Sequence, residues 1–147
     1  MGIRSASLSF SDAARRSQNT VTLSGTGTGA GVSLSPAAIV FPTQIIGAST
    51  AQTVTLTNPG TLTLALNSIA VQANSGGVFT QTNTCGPTLQ PESQCAIDVT
   101  YTSAGPGSAT AILQVTDNAL DSPQAVSLTG SGAVPVPLIN QPLERQA

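Results

Sequence analysis

The sequence contains no histidine, no tryptophan and no lysine, and only 7% of its 147 residues are charged. Without histidine, neither a Ser-His-Asp nor a Cys-His catalytic arrangement can form. Zinc usually takes four protein ligands, which two cysteines without a histidine cannot supply. The sequence therefore predicts no catalytic residues, no cofactor and no metal site, and we do not expect an enzyme.

Positive charge is scarce and lies outside residues 31–133, since the basic residues are Arg4, Arg15, Arg16 and Arg145. Residues 31–133 carry a net charge of −4 from four acidic residues and no basic ones: Glu92, Asp98, Asp117 and Asp121. Nucleic-acid binding depends on Lys and Arg that neutralise phosphates. No apolar stretch reaches the ~20 residues that cross a bilayer. We therefore expect neither nucleic-acid binding nor membrane insertion.

An internal repeat organises the chain. Residues 6–28 align without a gap on residues 111–133 at a constant offset of 105, and nine of the 23 aligned pairs are identical. A fixed period indicates a tandem array. The sequence thus predicts the C-terminal hairpin of a partial repeat in residues 1–30, one complete repeat in 31–133, and a Pro-rich linker or tail in 134–147. The first residues lack the apolar core of a signal peptide, which would ordinarily indicate the cytosol. Because the chain starts inside a repeat, however, we expect Met1 to be a fragment boundary.

Apolar and polar residues alternate between turn signals throughout residues 31–133, and no window has helical periodicity. Val54 and Leu56 fall on one strand face, and Ile97 and Val99 share a face of a later strand. About seven strands in roughly 100 residues are typical of an immunoglobulin-like sandwich. We therefore predict an all-β fold, an immunoglobulin-like antiparallel β-sandwich of about seven strands, preceded by a hairpin.

Three local irregularities are predicted within this sandwich. Pro36 interrupts the first strand and fits an edge or a strand switch, because proline cannot donate to a sheet ladder. The segment Asn58-Pro59-Gly60 supplies a turn. The strand predicted over Leu62–Val71 changes register near Asn67-Ser68, which indicates a β-bulge.

The N-terminal segment, residues 5–25, predicts only two strands. An isolated strand pair is marginal in water, so this hairpin must dock on the complete repeat, pair with another chain, or fray. Its apolar residues are Leu8, Phe10, Val21 and Leu23. We identify these four as a candidate assembly hairpin.

The only two thiols, Cys85 and Cys95, each lie at the edge of a predicted strand. A disulfide between them is geometrically natural and would stabilise the fold by roughly 2–3 kcal/mol. The alternative is a pair of separately buried, reduced cysteines in a cytosolic protein.

Two loops resemble ligand sites. Asp117–Asp121 holds oxygen ligands of the kind that calcium prefers, but the earlier copy has Arg16 where the later one has Asp121, which favours a plain turn. The glycines of Gly25–Gly31 resemble a phosphate-binding loop. Such a loop must open a helix, and because Pro36 and strand-like alternation follow instead, this segment is interpreted as an inter-repeat linker.

Several short motifs, by their order and spacing, resemble the family of immunoglobulin-like repeats that includes the abnormal-spindle/Hydin (ASH) domains and the bacterial choice-of-anchor D modules. The motifs are Ile39-Val40-Phe41, Val54–Gly60, Gly77-Val78-Phe79, Cys95–Tyr101 and Val126–Gly132. The resemblance covers residues 32–133 in full and 5–28 as the end of a preceding copy. It implies a non-catalytic structural or interaction module, often in arrays, and secreted or surface-anchored when bacterial.

Three functional hypotheses follow from these patterns. The first is a structural spacer or adhesion module from a tandem-repeat protein of the bacterial cell surface or exterior, whose partners are neighbouring repeats or other copies of the chain. The second is a self-assembling surface filament subunit, joined by strand addition of residues 5–25. The third is a carbohydrate- or protein-binding module of unknown ligand, which the shortage of aromatic anchors makes the weakest.

Overall fold

The structure is a computed structural model that describes residues 3–11 and 18–137. Every regular element in these residues is a β-strand. The strands are, in chain order, β1 (Ile3–Ser11), β2 (Gln18–Thr26), β3 (Ser33–Ser35), β4 (Ala38–Val40), β5 (Gln44–Ile45), β6 (Ser49–Thr57), β7 (Leu64–Ser75), β8 (Gly77–Asn83), β9 (Thr88–Leu89), β10 (Gln94–Ser103), β11 (Gly107–Asp117) and β12 (Gln124–Ala133). The predicted all-β fold is confirmed.

Strands β3 to β12 form an immunoglobulin-like sandwich of two sheets. One sheet has the order β3-β6-β10-β8, and the other has the order β4-β12-β11-β7-β9, with β5 also paired to β12. The pairs are antiparallel except those of β4 and β5 with β12, which are parallel. Pro36, which follows a cis peptide bond, lies where the chain leaves the first sheet at β3 and joins the second at β4. The predicted strand switch is therefore present.

Alternate side chains of both sheets meet in one apolar core, as their period of two requires. Val54, Leu56, Ile97 and Val99 are all fully buried in the first sheet. The second sheet contributes Leu113, Val115, Val126 and Leu128, which are equally buried. With β3 and β4 counted as the one first strand that Pro36 interrupts, the structure has the seven strands that alternation predicts and adds two strands of two residues each, β5 and β9. Pieces so short carry no periodic signal.

The predicted bulge is also present. Ser68 pairs with Thr116 and Leu66 pairs with Asp117, so Asn67 is the extra residue in β7. The prediction that this strand begins at Leu62 is wrong, because β7 begins at Leu64 and Leu62 is 52% exposed. The reason is that the side-chain amide of Asn58 donates to the carbonyl of Leu62 and keeps Leu62 within the turn after β6.

Three aromatic side chains pack at one end of the core. The ring centroids of Phe79 and Tyr101 are 4.7 Å apart, and Phe41 lies 5.9 Å from Phe79. A Cβ atom added at Gly77 or Gly130 would come within 2.6 Å or 2.7 Å of the Tyr101 ring. The ring therefore fits only because both neighbouring positions lack a side chain.

Asn58 is the polar centre of the fold and is fully buried. Its Nδ2 donates to the carbonyls of Leu62 (2.9 Å) and Leu89 (3.0 Å). Its Oδ1 accepts from the backbone N–H groups of Gly60 (2.9 Å) and Gly31 (3.1 Å). One side chain thus connects the segment before β3, the turn after β6 and the loop that carries β9.

We predict that Asn58→Asp lowers the free energy of unfolding by roughly 2–4 kcal/mol, measured by urea denaturation. A carboxylate can still accept from Gly60 and Gly31, but it leaves two buried carbonyls without a donor and places a charge in the core. The matched control is Asn67→Asp at the exposed bulge, which adds the same charge and should change stability by less than about 0.5 kcal/mol. Equal losses in the two variants would contradict the role of Asn58.

Candidate functional site

The first hairpin presents one apolar and one polar face. Strands β1 and β2 pair so that Leu8 lies opposite Val21 and Ala6 lies opposite Leu23. Because these cross-strand partners share a side of the sheet, Ala6, Leu8, Phe10, Val21 and Leu23 form one surface, here called the apolar face. The opposite surface carries serine and threonine, including Ser7, Ser9, Thr20 and Thr22.

The apolar face has no cover in the described residues. Leu8 is 56% exposed, Phe10 51%, Val21 46% and Leu23 52%. The hairpin is a separate two-stranded sheet without ladder hydrogen bonds to the sandwich. Full burial of a side chain from water contributes about 1.5–3 kcal/mol, so burying the half of each of these side chains that is still exposed would contribute roughly half as much.

Strands β1 and β2 pair in the same register as β11 and β12. Ala6 pairs with Leu23, and 105 residues later Ala111 pairs with Leu128. The environments differ, because the counterparts of the apolar face in the last hairpin are 0–3% exposed: Ala111, Leu113, Val115, Val126 and Leu128. The two hairpins therefore share pairing geometry and differ in what lies over them.

The segment between the first hairpin and β3 is bound to the turn after β6. The carbonyl of Gly29 accepts from the N–H groups of Thr61 (3.0 Å) and Leu62 (3.3 Å). A Cβ atom on Gly60 would come within 2.5 Å of that carbonyl, so this approach requires glycine. Gly29, assigned from the sequence to the partial repeat, thus contacts the complete one, and Ala30 packs against the apolar core of the sandwich. Strand β3 follows rather than a helix, as expected for a linker and not for a phosphate-binding loop.

Cys85 and Cys95 form a disulfide, with their Cα atoms 5.1 Å apart. Cys85 follows β8, and Cys95 lies at the start of β10. The enclosed loop crosses to the other sheet, where Leu89 of β9 pairs with Leu64 of β7. The predicted disulfide is therefore present; it lies beside the paired strands β8 and β10 and closes the loop that carries β9 across to the second sheet. Disulfides persist in oxidising compartments, so this bond indicates a non-cytoplasmic location.

The acidic loop after β11 is a hydrogen-bonded turn. One carboxylate oxygen of Asp117 accepts from the N–H of Ala119 at 2.7 Å, and Asp121 accepts from the side-chain amide of Gln124 at 3.1 Å. Burial raises the pKa of Asp117 above its ordinary value of 3.8, against the opposing effect of the Ala119 hydrogen bond. In the part of the chain that the structure describes, no three metal-ligating side chains come together. The counterpart of Asp117, Asp12, and the arginines Arg15 and Arg16 lie outside the described residues.

Residues 3–11 and 18–137 contain no helix of sufficient length and apolarity to span a bilayer.

Residues 30–125 match the family model described as abnormal spindle-like microcephaly-associated, ASPM-SPD-2-Hydin. This range spans the sandwich from the segment before β3 to the start of β12. The chain belongs to the ASH family. The resemblance found in the sequence motifs is thereby confirmed for the ASH family. The resemblance to choice-of-anchor D modules stays a prediction. No curated protein matches the sequence.

Solved structures show the same fold at low sequence identity. The ASH/PapD-like domain 7 of human CEP192 is 18% identical with a TM-score of 0.57, over 71% of this chain and 87% of that one. A protein of unknown function from Porphyromonas gingivalis W83 is 13% identical with a TM-score of 0.59, over 88% and 66%. The secreted serine protease VesC from Vibrio cholerae is 15% identical with a TM-score of 0.55, over 74% of this chain and only 24% of the protease. At these low identities, each comparison shows only that the two proteins have the same fold.

We predict that the fold gains stability as pH falls through the raised pKa of Asp117 towards 3.8. In that window the folded state binds more protons than the unfolded state, so stability is lost as pH rises. Asp117→Asn should remove this part of the pH dependence, measured by urea unfolding between pH 3.5 and 7. The gain at low pH should persist in the control Asp98→Asn, whose carboxylate lies on an exposed strand face. An unchanged profile in Asp117→Asn would contradict this prediction.

We predict that the double variant Cys85→Ala/Cys95→Ala loses roughly 2–3 kcal/mol of unfolding free energy, because the unfolded chain loses its cross-link. Reduction of the parent protein should lower its urea midpoint to the same extent. The double variant, as its own control, should not respond to reductant. A parent protein with two reactive thiols in its native state would contradict the disulfide.

Proposed function

We propose that this ASH domain is a non-catalytic structural spacer or adhesion module of a tandem-repeat protein that is secreted or attached to the cell surface. The observation that carries the proposal is the equivalence of the two hairpins, which are similar in sequence at a constant offset of 105 residues and have the same pairing register. Arrays of self-contained units transmit length and stiffness through contacts between neighbours. The ASH match supports a structural or binding role.

The surface chemistry supports this role over ligand recognition. Of the four aromatic residues, Phe41, Phe79 and Tyr101 are at most 3% exposed, which leaves only Phe10 at a surface. Recognition surfaces usually depend on aromatic and arginine anchors. The disulfide supports an extracellular position, where it would resist unfolding and proteolysis.

A self-assembling filament is the second candidate, and the uncovered apolar face is the observation that favours it. A second chain could add its own strands to a free hairpin edge or cover the face. Most large exposed apolar surfaces mark an interface. The spacer and the filament differ in where the cover comes from, which a deletion experiment distinguishes.

We predict that removing residues 1–27 leaves the urea stability of the sandwich within about 0.5 kcal/mol of the parent, since the first hairpin makes no ladder with it. The protein should sediment as a monomer before and after this deletion. Removing residues 1–31 is the matched comparison. It also deletes the hydrogen bonds of Gly29 and Gly31 to the turn at residues 58–62 and should cost roughly 1–3 kcal/mol.

Two outcomes would contradict the spacer. Equal destabilisation by both deletions would make the first hairpin an integral part of this domain. An assembled state that disappears on removal of residues 1–27 would favour the filament.

A further inference from the structure

The identical residues of the two hairpins lie on one face. Within the paired strands, the residues shared at the 105-residue offset are Ala6, Leu8, Val21, Leu23 and Gly25. All five belong to the side that is buried in the last hairpin. On the other side no pair is identical, as in Ser7 against Ile112 and Ser9 against Gln114. The sequence likeness therefore follows the surface that would be covered.

Gly25, which has no side chain, also indicates that this face is one that another element covers. Its counterpart Gly130 lies against the Tyr101 ring, and a Cβ atom there would come within 2.7 Å of a ring carbon. Around Gly25 no atom lies within 4 Å of the equivalent position. Glycine weakens a strand interior because of its entropy and its lack of packing. Nothing in the described residues requires it at this position, whereas an aromatic ring in the place of Tyr101 would.

We infer that the apolar face of the first hairpin is the docking surface for the remaining sheet of a like module, a four-stranded sheet with an aromatic residue on its central strand beside Gly25. This rests on the proposed tandem array. Strands β3, β6, β10 and β8 of this same molecule, which cover the last hairpin, are an example of such an occupant. In such an array the sheet would precede residue 3, as β10 precedes β11.

Two positions indicate how the sheet that would cover the first hairpin differs from the β3-β6-β10-β8 sheet that covers the last one. Phe10 stands where the last hairpin has Val115, and Arg4 stands where it has the buried Ala109. A cover for the first hairpin therefore has more room opposite Phe10. It also leaves Arg4 access to solvent or to an acidic partner, because a buried unpaired charge is strongly disfavoured.

A direct test places residues 31–106 ahead of residue 2 of the whole chain, because residue 107 corresponds to residue 2 at the observed offset. The changes Arg4→Ala and Phe10→Val match the face of the first hairpin to that of the last. The extended protein should show a second cooperative unfolding unit by calorimetry. The backbone amides of Val21 and Leu23 should exchange roughly 1,000-fold more slowly than in the unextended chain.

The selective control uses neighbouring residues on opposite faces. In the extended protein Gly25→Val should abolish the second unfolding unit, because its side chain would occupy the space of the tyrosine ring. Ser24→Val, on the outer face, should leave that unit intact. In the unextended chain neither change should alter stability.

Absence of the second unfolding unit in the matched extension would overturn the inference, as would equal effects of the two valine variants. An unextended chain that dimerises, and that Leu8→Ser returns to a monomer, would make a second copy the occupant and overturn it as well. The proposed spacer is tested separately, because deletion of residues 1–27 measures the stability and assembly of the chain without the first hairpin and involves no added sheet.

Discussion

The fold depends on the cover that each sheet gives to the other. Alternation makes one face of every strand apolar, and such a face is stable only when an opposing sheet removes it from water. The same hairpin type occurs twice in this chain under different conditions. Leu113 and Val126 lie under the opposite sheet and are fully buried, while Leu8 and Val21 are about half exposed. Pairing and register are therefore encoded locally in the hairpin, and burial is supplied from outside it.

Two further interactions hold the loops around the apolar core, a set of buried hydrogen bonds and a disulfide. Asn58 satisfies all four of its hydrogen-bonding positions inside the protein, so its burial carries no unpaired amide group. The Cys85–Cys95 disulfide fixes the same neighbourhood from the other side, since Leu89 lies in its loop and accepts from Asn58. Asn58 also binds Gly31, and this hydrogen bond holds the segment before β3 against the sandwich.

Much of the fold could be predicted because a period of two reports directly on which residues face the core. This holds for Val54, Leu56 and the bulge at Asn67, where a break in the alternation marks the extra residue. Asn58 could not be predicted as a buried centre, because its partners Gly31 and Leu89 are 27 and 31 residues away and Asn-Pro-Gly is typical of any turn. The candidate assembly residues were identifiable as apolar strand positions. Their exposure was not, because it depends on which sheet lies above them.

Hydrogen exchange of the unmodified chain tests most directly whether cover decides the stability of the hairpins. The amides of β11 and β12 should exchange only through global unfolding. Those of β1 and β2 should exchange within about tenfold of an unstructured peptide, although both hairpins have the same register. Equal protection of the two hairpins in a chain that sediments as a monomer would contradict the account, because the first hairpin would then be stable without a covering sheet.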